Sequence, residues 1–228
     1  MISHRSKSAS CLQQSISKNM QILWNTKNSI LLSTSSGSGL MEAAVKSLIL
    51  KKGVFFSLGA FGKRWYEMAI ANGKEADIYE VEEGYSNKAE FIDSILKKGC
   101  YDFAAITHNE TSTGVENPLI DISNVMKKYS DIIFAVDTVS STGGVDIDVD
   151  SCKIDFCVTS TQKCLGLPPG LSICSISDKA INRTKYVENR GYYLDLLTLY
   201  EYTINKDHQY PATPSLSHMY ALDYKLNK

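Results

Sequence analysis

The 228-residue sequence lacks most of the features that would narrow its role at once. Its charges balance, 24 basic against 25 acidic residues for a net charge of −1, so nothing favours nucleic acid or an anionic membrane surface as partner. No apolar run approaches the ~20 residues that a membrane-spanning helix needs. The first residues carry Arg5 and Lys7 but are otherwise rich in Ser, Gln and Asn, with no apolar stretch, so no secretory signal is expected. The six cysteines (11, 100, 152, 157, 164 and 174) contain no CxxC pair, which argues against a zinc site or a redox pair. Cys157 and Cys174 lie in apolar runs, where cysteine behaves as a small hydrophobe, and a reducing, cytosolic setting fits best. There is no internal repeat, and no low-complexity linker before about residue 185. The one Gly/Ser-rich segment, at 35–39, is no Walker loop, because no Lys-Ser/Thr follows its glycines.

What is present is an ordinary globular composition, 43% hydrophobic and 21% charged, in a chain long enough for one large domain. Residues 1–29 are polar and weakly patterned, with a helix predicted over 16–24. From Ile30 onward short apolar runs alternate with helical periodicity. Strands are predicted at 30–32, 54–58, 77–81, 101–107, 132–136, 154–159 and 171–176, and helices at 40–49, 62–72, 87–98 and 121–129. Lys51, Lys52 and Gly53 read as the C-terminus of the first of these helices. Beyond residue 185 the sequence becomes rich in Tyr and Asn and reads as an exit from the domain. Strands alternating with helices predict an α/β fold with a mostly parallel sheet covered on both faces.

In such a sheet ligands gather at the carboxyl ends of the strands, so the residues that follow each strand form one group. Ser35-Ser36-Gly37-Ser38-Gly39 runs from a strand into a helix, where free N–H groups can bind phosphate, although such a turn is also common without a ligand. Asp137 closes an apolar strand; it could be a cap or an ion-pair member, or it could pair with a pyridinium N–H. Lys163 follows another strand within Ser160-Thr161-Gln162-Lys163, before the turn Pro168-Pro169-Gly170. A surface lysine is ordinarily solvated. One held between an apolar strand and a rigid turn is positioned, and can attack an aldehyde carbon.

Together the runs 136–144, 160–163 and 168–170 resemble the class V aminotransferases of fold type I, and among them the alanine–glyoxylate/serine–pyruvate type. The likeness extends along most of the chain. It implies the large domain of a pyridoxal 5′-phosphate (PLP) enzyme over 30–205, with a seven-stranded-type sheet, and Lys163 as the Schiff-base lysine. Ser36, Gly37, Ser38 and Gly39 resemble the family's phosphate loop. Phe61, in Gly59-Ala60-Phe61-Gly62, resembles the aromatic residue that stacks on the pyridine ring, a contact worth about 1 kcal/mol, though a place in the core fits it nearly as well. In His108-Asn109-Glu110-Thr111-Ser112-Thr113-Gly114, Thr111 resembles the partner of the ring hydroxyl. The resemblance also implies Gln162 as a further cofactor contact and Asp137 as the partner of the ring nitrogen.

Residues 206–228 resemble the start of a connection to a small C-terminal domain, which is expected to be missing here. Within them Tyr210-Pro211-Ala212-Thr213-Pro214 resembles a segment that crosses a homodimer, so Tyr210 and Thr213 would reach the partner's cofactor. The resemblance implies a small amino acid and a 2-oxo acid as substrates, with no metal. The resemblance is shortened at both ends, and the family's carboxylate-gripping arginine is not found after Arg190, so a degenerate PLP-binding or interaction fragment stands as the alternative. A phosphonate transaminase is a near variant. A cysteine desulfurase fits less well, since that group typically has His where Gln162 stands.

Overall fold

The computed structural model describes residues 2–228. The apolar runs become strands because their alternate side chains can be buried on opposite sheet faces. Phe103, Ala105, Ile133 and Ala135 enter one apolar cluster, whereas Ala104, Ile106, Phe134 and Val136 enter the other. The strands are β1 (Ser29–Ser33), β2 (Lys52–Ser57), β3 (Glu75–Glu80), β4 (Phe103–Thr107), the short hairpin pair β5 (Asn109–Glu110) and β6 (Val115–Glu116), then β7 (Ile133–Asp137), β8 (Phe156–Ser160) and β9 (Ser172–Ile176). Seven of them form one sheet in the order β1-β9-β8-β7-β4-β2-β3. Only β9 runs against its neighbours, β1 and β8. The expected mostly parallel α/β sheet is therefore what the chain forms.

Among the described residues eight helices cover the sheet: α1 (Lys7–Leu23), α2 (Gly37–Leu48), α3 (Ala60–Ala71), α4 (Ala89–Leu96), α5 (Leu119–Met126), α6 (Asp178–Thr184), α7 (Leu196–Asn205) and α8 (Leu216–Leu226). Helices α2, α3, α6 and α7 pack on one face, and α1, α4, α5 and α8 on the other. No helix among the described residues is long and apolar enough to cross a membrane.

Three expectations change. The N-terminal segment is more ordered than its composition suggests: α1 starts at Lys7, capped by Ser6, and buries Leu12, Ile16 and Met20 against the sheet. Residues beyond 185 do not leave the body, since Leu196 and Leu199 join one core cluster and Met219 and Leu222 the other. Lys51, Lys52 and Gly53 are not a helix end. The buried Asp102 carboxylate accepts from the backbone N–H groups of Leu50, Lys51 and Lys52, at 3.2, 2.9 and 3.2 Å, and turns the chain into β2 at Lys52.

Helix α1 is also tied to the turn that follows β7. The fully buried Trp24 donates its indole N–H to Thr142 Oγ1 (3.0 Å). Thr142 Oγ1 in turn meets Thr138 Oγ1 (2.8 Å), which donates to the carbonyl of Val158 (2.9 Å). Trp24→Phe removes both the donor and the pyrrole half of the buried indole, so it is expected to cost about 1–3 kcal/mol through the lost hydrogen bond and the cavity left behind. Urea unfolding should show a lower midpoint at unchanged slope. An unmoved midpoint would show that the indole bond contributes nothing.

Candidate active site

Because β1, β2, β4, β7 and β8 run in one direction, their final residues Ser33, Ser57, Thr107, Asp137 and Ser160 share one sheet edge. Asp137 is 3% exposed, and its Oδ1 accepts the N–H of Val139 at 2.8 Å. Among the described residues it makes no ion pair. Burial, reinforced by the charge of Glu110, pushes its pKa up from 3.8 to about 6, against the opposing pull of the Val139 N–H and of Lys163. A carboxylate buried in this way is in want of a cationic N–H partner.

Lys163 sits in the next turn along this edge. Thr161 closes that turn twice: its N–H donates to the carbonyl of Leu171 (3.1 Å) and its hydroxyl to that of Pro168 (2.6 Å). Gly166, at φ +67, completes a tight bend with its N–H on the carbonyl of Lys163 (2.8 Å). The half-buried Lys163 is thereby aimed so that Nζ stands 5.8 Å from the centroid of the Phe61 ring. The guanidinium of Arg64 lies 4.8 Å from the same ring.

The Gly/Ser loop is shaped for an anion. Ser36 is the N-cap of α2 but its side chain does not cap the helix, and the first turn holds no acidic residue. The N-terminal N–H groups and the helix dipole are therefore left for an anionic ligand. Gly37 packs so closely on its surroundings that a Cβ there would come within 2.8 Å of Val139 Cγ2 and 3.3 Å of Ser160 Oγ. The loop is thus pressed against the turn after Asp137.

Thr111 is exposed at the edge and is hydrogen-bonded through Oγ1 to Ser140 Oγ. His108 is buried, its Nδ1 is 3.0 Å from Ser141 Oγ, and burial lowers its pKa, so the ring is neutral at pH 7. Glu110, to which no sequence motif points, is fully buried and accepts the N–H groups of Phe61 and Gly62. Its partners lie about fifty positions upstream, and no local pattern announces such a bond.

The structure thus brings Asp137, Lys163, Gln162, Phe61, Thr111 and the Ser36–Gly39 loop to one edge. Tyr210 and Thr213 are not hydrogen-bonded to any of them among the described residues. In the single chain the Tyr210 side chain turns inward, its hydroxyl donating to the carbonyl of Ala9 (3.4 Å). Thr213 is exposed and, with Ser33 and Thr34, lines a cavity of about 30 Å³. The fit to PLP rests on what lacks a partner. Among the described residues Gln162 Oε1 and Ser160 Oγ are buried without a hydrogen bond, the Asp137 carboxylate makes no ion pair, and the α2 N-terminus has no side-chain cap.

The sequence model of the family described as aminotransferase class-V matches residues 1–227. The chain belongs to the class-V aminotransferases. It is 39% identical, over its whole length, to an uncharacterized aminotransferase of Methanocaldococcus jannaschii, of which it covers 60%. Its structure resembles an alanine–glyoxylate aminotransferase from Nostoc, at a TM-score of 0.92 and 27% identity, with 99% of this chain and 61% of the other covered. A ureidoglycine–glyoxylate aminotransferase from Bacillus subtilis gives a TM-score of 0.91 at 26% identity, with 99% and 59% covered. This class-V aminotransferase chain thus spans about three fifths of the length of the relatives it matches. Family membership and fold are those expected from the motifs, and members of this family typically use PLP.

Proposed function

We propose that this chain is the cofactor-binding part of a PLP-dependent aminotransferase that moves an amino group between a small amino acid, alanine or serine, and a 2-oxo acid, glyoxylate or pyruvate. The reading is carried by one juxtaposition: a buried carboxylate without a cation, Asp137, beside a lysine whose turn is closed by Thr161. Two of the structural neighbours are named for glyoxylate, which makes it the acceptor to try first.

When bound, PLP supplies an aldehyde that takes up the amino group and a cationic ring that accommodates the electron pair released at the substrate's Cα. The residues here do the rest. The α2 N-terminus with Ser36 to Gly39 would hold the phosphate. Phe61 would cover one ring face. Asp137, ionised by a cationic partner, would keep the ring nitrogen protonated. Lys163 Nζ would first hold the aldehyde carbon and, once released by the incoming amine, take the proton from Cα and return it to the cofactor's C4′, as base and then acid. In a homodimer, the exposed Thr213 would add a contact from the partner chain, and Tyr210 would do the same only on leaving its bond to Ala9.

The test is spectroscopic. Titrating purified protein with PLP should raise a visible absorption band that saturates at one equivalent per chain. Adding alanine or serine should then shift the band, and glyoxylate should restore it. A chain that produces no band at saturating PLP would refute the reading. A band that never shifts would support the non-productive fragment instead, a response to 2-aminoethylphosphonate alone would reassign the donor, and alanine released from cysteine would mark a desulfurase.

A further inference from the structure

Helix α3 begins without a cap of its own. Its N-cap is Gly59, which has no side chain to offer, and there is no acidic residue in its first turn. Orphan N–H groups at a helix start must find partners elsewhere. Here they find them on β5 and the residues just after it. Glu110 Oε2 accepts from the N–H of Phe61 at 3.0 Å and of Gly62 at 3.3 Å, and Ser112 Oγ accepts from Ala60 N–H at 3.0 Å. The other oxygen, Glu110 Oε1, accepts from Ser112 N–H (3.1 Å) and Ser112 Oγ (2.8 Å). Four donors therefore converge on one fully buried carboxylate at the positive end of a 12-residue helix. The cradle is closed as well, since a Cβ at Gly59 would lie 2.5 Å from Ser112 Oγ and 2.6 Å from Glu110 Cγ. The first side chain fixed in this way is Phe61, whose ring stands over Lys163 Nζ.

We propose that Glu110 is a positioning residue of the cofactor site, its carboxylate pinning the start of α3 so that the Phe61 ring is held facing the amine of Lys163, 5.8 Å from Nζ. Resting on the cofactor reading above, this adds a residue that touches neither cofactor nor substrate and acts through Phe61. The charge of Glu110 also adds to the upward push on the Asp137 pKa, which opposes a second negative charge there.

A double-mutant cycle on PLP affinity tests the idea. In the wild-type background Glu110→Gln is expected to weaken PLP binding about 10–100-fold, because an amide cannot accept all four donors. Ser112→Ala keeps the carboxylate but removes one donor to it and the acceptor for Ala60, so about 3-fold is expected. In a Phe61→Ala background both should fall below about 2-fold, since the ring they position is gone. Amide exchange at Phe61 and Gly62 should accelerate in Glu110→Gln while core strand amides stay protected. If the losses in affinity are the same with and without Phe61, or if the two amides exchange at wild-type rates, Glu110 is a general stabiliser and the proposal is overturned. If wild-type protein binds no PLP, the cofactor reading itself falls and takes this role with it. The two failures are thus distinguishable.

Discussion

Lys163→Ala is expected to abolish covalent retention of PLP. Wild-type protein incubated with PLP and reduced with borohydride should gain one pyridoxyl adduct, mapped by peptide mass to Lys163, and the variant should gain none at stoichiometric level. Many lysines are exposed, so specificity for this one must come from its surroundings. The surroundings are specific: Thr161 and Gly166 fix the turn, and Phe61 stands 5.8 Å from Nζ. The Asp137 carboxylate shares the edge. The variant should still bind PLP reversibly, because the loop at Gly37 and the carboxylate of Asp137 are untouched. Where turnover can be measured, loss of both the covalent attachment and the proton carrier predicts a drop of about 10⁴-fold or more. A variant that still takes up one site-specific adduct, at any other lysine, would sink the assignment.

Lys163 and Asp137 could be read from the chain because the edge of a parallel sheet gathers whatever follows each strand, and strands show as apolar runs. Ile133 to Val136 and Phe156 to Val158 are such runs, so the residues after them stand out in the sequence alone. Glu110 could not be found that way. Its partners, Phe61 and Gly62, are remote in sequence, and a cap supplied by another element leaves no local signature. The misreading of Lys51 to Gly53 has the same cause: basic residues and a glycine after an apolar helix do resemble a helix end. It is Asp102, on the far side of α3 and β3 in sequence, that decides where β2 begins. Helix α1 was half visible because its buried face includes Ser10, Gln13 and Ser17 beside Leu12, Ile16 and Met20, which blunts the apolar periodicity. The inward turn of Tyr210 was hidden for a further reason, since its hydroxyl bonds to Ala9, at the other end of the chain.

Asp137→Asn is expected to act in opposite directions on the empty and the loaded protein. In the cofactor-free chain burial raises the pKa of Asp137 from 3.8 to about 6, so the folded state holds its proton more tightly than the unfolded state. Stability must then fall as pH rises from about 4 to about 6, and the full cost of a buried charge is carried above that window. The difference corresponds to roughly 3 kcal/mol as an upper figure. Asparagine keeps the shape and can still accept the Val139 N–H without the charge. Cofactor-free Asp137→Asn should therefore unfold at higher urea than wild type at pH 8, with the advantage shrinking as pH is lowered through 6 and gone near 4. With PLP present the order should reverse. A cationic ring N–H offsets the buried charge in wild type and finds only a neutral amide in the variant, so affinity should drop about 10–100-fold or more. Proton removal from the substrate should be slowed further, since the neutral amide no longer keeps the ring cationic. A variant less stable than wild type at every pH without cofactor would show that the carboxylate is satisfied by the protein alone. In that case Asp137 is a structural cap on the turn at Val139, and the ring nitrogen must find its partner elsewhere.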